Sequence, residues 1–303
     1  MLNEQRPRDF LDPAVLAALS SIPLMSRRPM RGSVSGKHTS PTRGASVEFA
    51  EYRKYVPGDD LRRLDWRAHG RSDRYYVKEF EADTNLRCCL VVDTSGSMAF
   101  GSGAINKLQY ARRIAAAIGY LAVQQGDAVG LSCVAGGIQT QIPPRRNPAH
   151  LRVVFDMLEQ ANAKGPTHLV DVLHELAETT RQAAMVIVIS DFFVDPDLLR
   201  GCFEHLRFRK HDLSLFHLLD PVELSFTFQR PTRFIDMEDS SAVFVEPSEI
   251  ADRYLKALNT YLNQLQTIVM ETGVDYHRVS IDEAYQNVLT RFLTRRATAR
   301  RTR

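Results

Sequence analysis

The stretch "RCCLVVDTSGSM", Arg87 to Met98, decides the fold. Its apolar run shows no polar alternation, which marks a strand buried on both faces, as in a parallel sheet covered by helices. The run ends in Asp93, and two hydroxyls follow on alternate residues, Ser95 and Ser97. What comes next has the period of a helix: in "NKLQYARRIAAAIGYLAVQQ" the apolar residues Leu108, Ala111, Ile114, Ile118 and Leu121 recur on one face. Asn106 supplies an N-cap and Gly126 a stop. A second short strand, "DAVGLSCVA", completes a strand, helix, strand unit.

The pattern continues toward the C-terminus. "GGIQTQIPP" reads as an edge strand, a helix opens at Asn147-Pro148, and another spans about Leu169 to Thr180. The apolar run "MVIVIS" ends in Asp191, Asp195-Pro196 opens a helix, and "LSLFHLL" is a further buried strand. Beyond Asp220-Pro221 stand two short strand-like pieces, "RFIDME" and "AVFVE". A long helix from about Ser248 to Glu271, a last strand "VDYHRVSID" and a last helix "AYQNVLTRFLTRR" complete the chain. The expected fold class is α/β, a doubly wound, mostly parallel sheet.

Upstream the texture differs. "LDPAVLAALS" is a short helix capped by Asp12, and "RRPMRGSVSGKHTSPTRGAS" is loop by its Gly, Ser, Pro and Arg content. Phe49, Tyr52, Tyr55, Tyr75, Val77 and Phe80 then fall in near-alternation around a Pro57-Gly58-Asp59-Asp60 turn, which predicts strands. The expected division is residues 1–31, helix and linker; 32–83, a strand-rich extension; and 84–303, the α/β domain with a basic tail.

At 303 residues, 44% hydrophobic and 25% charged, the composition is that of an ordinary globular protein. With no run of about 18 apolar residues and no recognisable secretory leader, the expectation is a cytoplasmic protein without a membrane segment. Cys88, Cys89, Cys133 and Cys202 show no metal or redox spacing and read as reduced core thiols. A net charge of +3 gives no global field for nucleic acid, and the basic ending "RFLTRRATARRTR" reads as a solvated tail.

In an open parallel sheet, ligands collect outside the carboxyl ends of the strands, where strand order reverses. With the order 3-2-1-4-5-6, Asp93 and Asp191 end neighbouring strands at that crevice. Two close buried carboxylates need a proton or a cation, and hydroxyls between them favour a hard divalent ion such as Mg²⁺. Thr167, on a Gly-Pro turn before a helix, offers a third hydroxyl.

Asp93, Ser95, Ser97, Thr167 and Asp191 resemble the metal-ion-dependent adhesion site (MIDAS) of von Willebrand factor A domains, matching its D-x-S-x-S, second-loop threonine and third-loop aspartate in chain order. The resemblance implies a bound Mg²⁺, or Mn²⁺ or Ca²⁺, with one position left for a partner's Asp or Glu, and a site that binds rather than catalyses. Residues 32–86, "GSVSGKHTSPTRGASVEFAEYRKYVPGDDLRRLDWRAHGRSDRYYVKEFEADTNL", resemble the segment preceding that domain in the bacterial "domain of unknown function 58" family. That resemblance implies a chaperone-like adaptor linking a MoxR-type AAA+ ATPase to client proteins, in the branch without membrane helices.

Rival readings meet chemical objections. A haloacid-dehalogenase-like phosphohydrolase needs a second aspartate two residues after the nucleophile, and position 95 is serine. No P-loop and no G-x-S-x-G is present. His168, Asp171, His174 and Glu175 lack the three- or four-residue histidine spacing of zinc helices. The set Arg53, Asp59, Asp60, Arg62, Asp65, Arg67, Lys78 and Glu81, with Trp66, forms either a partner surface or an internal ion-pair network. Arg62 and Arg63 beside Trp66 and Tyr75 would suit single-stranded nucleic acid, but equal numbers of acids oppose it.

Overall fold

The computed structural model describes residues 8–27, 39–40, 48–54, 76–83, 86–228, 230–238 and 241–301, with the backbone alone described between 39 and 83. The chain forms two compact units, one of residues 28–86 and one of residues 1–27 with 87–303. In the first, β1 (Thr39–Ser40), β2 (Glu48–Lys54) and β3 (Tyr76–Asp83) make an antiparallel sheet in the order β1-β3-β2, with an irregularity between Phe49 and Glu51. Arg53, Lys78 and Glu81 lie on these strands. Tyr55, Asp59, Asp60, Arg62, Arg63, Asp65, Trp66, Arg67 and Tyr75 lie outside the described residues.

The second unit is built on β4 (Arg87–Asp93), β5 (Ala128–Ala135), β6 (Gly137–Arg145), β7 (Met185–Ser190), β8 (Asp212–Leu219) and, after a hairpin of β9 (Thr232–Ile235) and β10 (Ala242–Val245), β11 (Asp275–Ser280). The sheet order is β11-β8-β7-β4-β5-β6. All its pairings are parallel except that of edge strand β6 with β5. The doubly wound, mostly parallel α/β sheet expected from the sequence is therefore present. From β4 the chain winds one way to β5 and β6, then crosses back to β7, so the switch point lies between β4 and β7.

Every residue of β5, β7 and β8 is buried, which is why these strands carry no polar alternation. The flanking helices are α1 (Pro13–Leu19), α2 (Lys107–Gln124), α3 (Pro148–Gln160), α4 (Leu169–Thr179), α5 (Pro196–Phe208), α6 (Pro221–Ser225), α7 (Pro247–Thr272) and α8 (Tyr285–Arg301). Their starts are local chemistry. Asp12, Asn147, Asp195 and Asp220 each accept a backbone N–H at a helix whose first residue is proline. Asn106 and Gln109 form a reciprocal capping box on α2. Helix α7 lays Leu265, Ile268 and Val269 onto a core shared with β7, β8, α4 and α5, each side chain contributing about 1.5–3 kcal/mol.

The C-terminal helix corrects one expectation. The basic ending is not simply a solvated tail: α8 runs to Arg301, and Arg296 is fully buried. Its guanidinium donates to Asp212 and Asp275, each at 2.9 Å, and to the Met25 carbonyl at 2.9 Å. Burial alone would raise the Asp275 carboxyl, but His277, Arg296 and Arg27 hold it well below the usual range. A sequence window cannot show that two acids at the starts of β8 and β11 await an arginine from α8.

Two buried histidines give the fold a pH dependence. His211 Nδ1 accepts the Ala184 N–H at 3.2 Å, and His217 Nδ1 stands 2.8 Å from the Tyr276 hydroxyl. Burial pushes both down to about 4. The unfolded chain, with histidines near 6.5, binds protons first as the pH falls, so stability drops from about pH 6.5 toward 4. Between pH 7 and 5 the two histidines are expected to cost on the order of 2 kcal/mol, allowing for solvent screening at His211, while protonation of the raised Asp93 carboxyl offsets part of that loss. Urea midpoints at the two pH values check this. His211→Gln, whose amide oxygen still accepts the Ala184 N–H, should flatten the profile.

Candidate metal-binding site

Asp93 ends β4 and Asp191 directly follows β7, so parallel pairing of these strands brings both carboxylates to the switch point. Asp93 is 1% exposed and Asp191 3%. The Asp93 carboxylate is held in place: Ser95 N–H donates to Oδ1 at 2.9 Å and the Ser190 hydroxyl to Oδ2 at 2.6 Å. Burial, then the charge of Asp191, pushes the Asp93 carboxyl up to about 6 in spite of these donors. Two buried carboxylates at neighbouring strand ends favour a cation.

The three hydroxyls arrive on two loops. Ser95 and Ser97 flank Gly96 at the start of a 3-10 turn, Gly96–Ala99, with their oxygens 3.1 Å apart. Thr94 fixes this loop by donating its N–H and hydroxyl to the Val134 carbonyl on β5, at 2.6 and 2.9 Å. The loop before α4 docks onto it: Lys164 N–H donates to the Thr94 carbonyl at 2.9 Å, and Gly96 N–H to the Gly165 carbonyl at 2.8 Å. That contact delivers Thr167, whose hydroxyl oxygen is buried and has no hydrogen-bond partner among the described residues.

A buried hydroxyl without a partner is destabilising, and a bound cation would satisfy it. Each Asp93 oxygen receives one of these hydrogen bonds and keeps a second lone pair. Hard divalent ions take such oxygens. The residues present thus fit a Mg²⁺-type ion, which Asp93, Ser95, Ser97, Thr167 and Asp191 would hold directly or through water. Among the described residues no three His, Cys, Asp or Glu side chains are grouped to hold a metal, so any ion here depends on hydroxyls as much as on carboxylates. His168 pairs instead with Asp171 at 3.5 Å, and His174 faces His205 with their Nδ1 atoms 3.0 Å apart.

Three side chains at the site escape a sequence reading. Lys107, first residue of α2, is 1% exposed, and its Nζ lies 2.6 Å from Asp191 and 2.8 Å from Glu223 on α6. Burial would lower the ammonium, but Asp191 and Glu223 outweigh it and hold Lys107 above its ordinary value. Burial likewise keeps the Glu223 carboxyl raised in spite of Lys107. The third is Glu238, in the turn of the β9–β10 hairpin, whose Oε2 accepts the Thr167 N–H at 3.3 Å. One signal for Lys107 existed: a cation in the first turn of a helix opposes the macrodipole. The short α6 carrying Glu223 left no periodic trace.

The segment between β8 and α7 reaches back over these loops. Asp220 caps α6 and also accepts the Ser102 N–H and hydroxyl, at 2.7 and 2.6 Å. At Gly96 the backbone of Met237 comes so close that an added Cβ would lie 2.0 Å from its carbonyl oxygen. Phe192, after Asp191, has a φ of 51°, a left-handed turn that buries its own ring and leaves Phe193 42% exposed.

Residues 51–260 match the family described as "Protein of unknown function DUF58". The chain belongs to the DUF58 family. An uncharacterized protein of Mycobacterium tuberculosis, Rv1480, is 32% identical over 220 residues, which cover 71% of this chain and 68% of that protein. Its Mycobacterium bovis counterpart, Mb1516, matches equally. Among solved structures, this DUF58 chain is similar to the conserved hypothetical protein BatB of Bacteroides thetaiotaomicron, with a TM-score of 0.49, 15% identity, and 71% of this chain and all of that chain covered. The SpRpn10 VWA domain gives a TM-score of 0.41 at 10% identity, covering 69% of this chain and 95% of that one. Among the described residues of this DUF58 protein, no helix is long and apolar enough to cross a membrane.

Proposed function

We propose that this DUF58 protein is a non-enzymatic, metal-dependent binding adaptor. It would hold Mg²⁺, or Mn²⁺ or Ca²⁺, through Asp93, Ser95, Ser97, Thr167 and Asp191, and use the open position to grip an Asp or Glu of a protein partner. What supports this reading is the pairing of β4 with β7, which sets Asp93 and Asp191 at neighbouring strand ends, beside the loop of Ser95 and Ser97 and a buried Thr167 hydroxyl that has no partner among the described residues. Exposed Phe193 beside the site, 42% accessible, adds apolar surface of the kind interface anchors use. The resemblance to the family's MoxR-linked members gives the partner as a MoxR-type AAA+ ATPase, with a client protein as the second ligand of the complex.

Catalysis by Asp93 is disfavoured by its setting. Ser95 stands where a phosphohydrolase needs its second aspartate as acid and base. The test is affinity capture from cell extract by wild type and Asp93→Ala, each in Mg²⁺ and in chelator. A AAA+ ATPase retained only by wild type in Mg²⁺ is the expected result. The same ATPase retained under all four conditions would move the contact away from this site.

A further inference from the structure

The β9–β10 hairpin brings an acidic side chain of the chain itself to this site. Its turn is preorganised: Asp236 N–H donates to the Ser241 carbonyl at 2.8 Å, and Glu238 N–H to the Asp236 carboxylate at 2.7 Å. The hairpin is anchored through β9, where the Phe234 ring meets Phe226 and Phe228 with centroids 5.8 and 5.0 Å apart. From there the turn runs against the D-x-S-x-S loop, with the Met237 carbonyl over Gly96, the residue between the two candidate serine ligands. Glu238, half-buried, ends with Oε2 at 3.3 Å from the backbone nitrogen of Thr167, the residue whose buried hydroxyl lacks a partner among the described residues.

A glycine at position 96 is what permits this approach, since any side chain there would collide with the hairpin backbone. The carboxylate is of the chemical class a partner would have to offer a hard cation. We propose that Glu238 is a built-in carboxylate ligand of the site, occupying the coordination position that an acidic partner would fill, so that hairpin and partner compete for one ion. A partner would then have to lift the hairpin, whose apolar side chains Ile235, Val243 and Phe244 are 57%, 61% and 73% exposed. The proposal rests on the metal-site reading above.

The test uses the full chain as wild type, Glu238→Gln and Asp93→Ala, with Mn²⁺ as probe. Calorimetry reads its affinity, and water-proton relaxation reads the number of water molecules on the bound ion. Thermal unfolding in chelator confirms that each variant is folded. Glu238→Gln should bind Mn²⁺ about 10-fold more weakly and carry one more bound water than wild type. If wild type binds, Asp93→Ala does not, and Glu238→Gln matches wild type in affinity and hydration, Glu238 merely caps the Thr167 N–H and the proposal is overturned while the metal site stands. If wild type itself binds no Mn²⁺, both fall.

Discussion

Replacement of Lys107 by methionine is expected to destabilise the metal-free protein by about 3–5 kcal/mol, because it leaves the carboxylates of Asp191 and Glu223 buried without their ammonium. Methionine keeps most of the side-chain volume, so the loss is electrostatic rather than a cavity effect. The ammonium also lies over the Phe193 ring, 5.4 Å from its centroid, a contact that vanishes with the charge. Added Mn²⁺ should return more stability to Lys107→Met than it gives wild type, since the variant's site is one charge more negative. Thermal unfolding with chelator and with Mn²⁺ reads both effects. Equal stabilisation of the two proteins by the ion would show that ammonium and cation do not share a role.

Arg296→Met should have an effect of similar size at the opposite end of the sheet. The guanidinium there joins Asp212 at the start of β8, Asp275 at the start of β11 and the carbonyl of Met25 in the N-terminal segment. Asp212 also accepts from the Ser26 hydroxyl and the Arg27 N–H, at 2.9 and 2.8 Å, so one buried cluster fastens both ends of the chain to the sheet. Its loss is expected to lower stability by about 3–5 kcal/mol and the Tm by roughly 10 °C. Because most of that loss comes from stranded carboxylates, adding Asp212→Asn and Asp275→Asn should recover part of it. A triple variant less stable than Arg296→Met would mean that the cluster acts through hydrogen bonding alone.

The contrast between these two sites explains what the sequence could disclose. The strands were legible because burial on both faces leaves an unbroken apolar run, as in "MVIVIS". The helix starts were legible because Asp12, Asn106, Asn147 and Asp195 cap by local chemistry within a few residues. Asp93 and Asp191 could be paired because the parallel topology places strand ends together, a rule that needs no side-chain coordinates, whereas Ser95, Ser97 and Thr167 joined them through the resemblance to an adhesion site. Lys107, Glu223, Glu238 and Arg296 could not be assigned this way. Each owes its meaning to a partner 84 to 116 residues away or to a close approach between loops, and neither leaves a local period. Arg296 in particular sits in a run of basic residues that looks solvated until the acids of β8 and β11 are in place.

The electrostatics of the switch point connect fold to function. Asp93 is buried and raised to about 6 with Asp191 nearby, while Lys107 engages both Asp191 and Glu223. The ammonium steadies Asp191, and Asp93, which accepts the Ser95 N–H and the Ser190 hydroxyl, is the carboxylate proposed to meet an ion. Calorimetric titration of Mn²⁺ into the wild-type chain and Asp93→Ala reads whether this arrangement binds a divalent cation. One ion per wild-type chain, and affinity weaker by at least about 100-fold in a variant that remains folded, is the expected result. Titrations in which neither protein binds, or both bind alike, would contradict it.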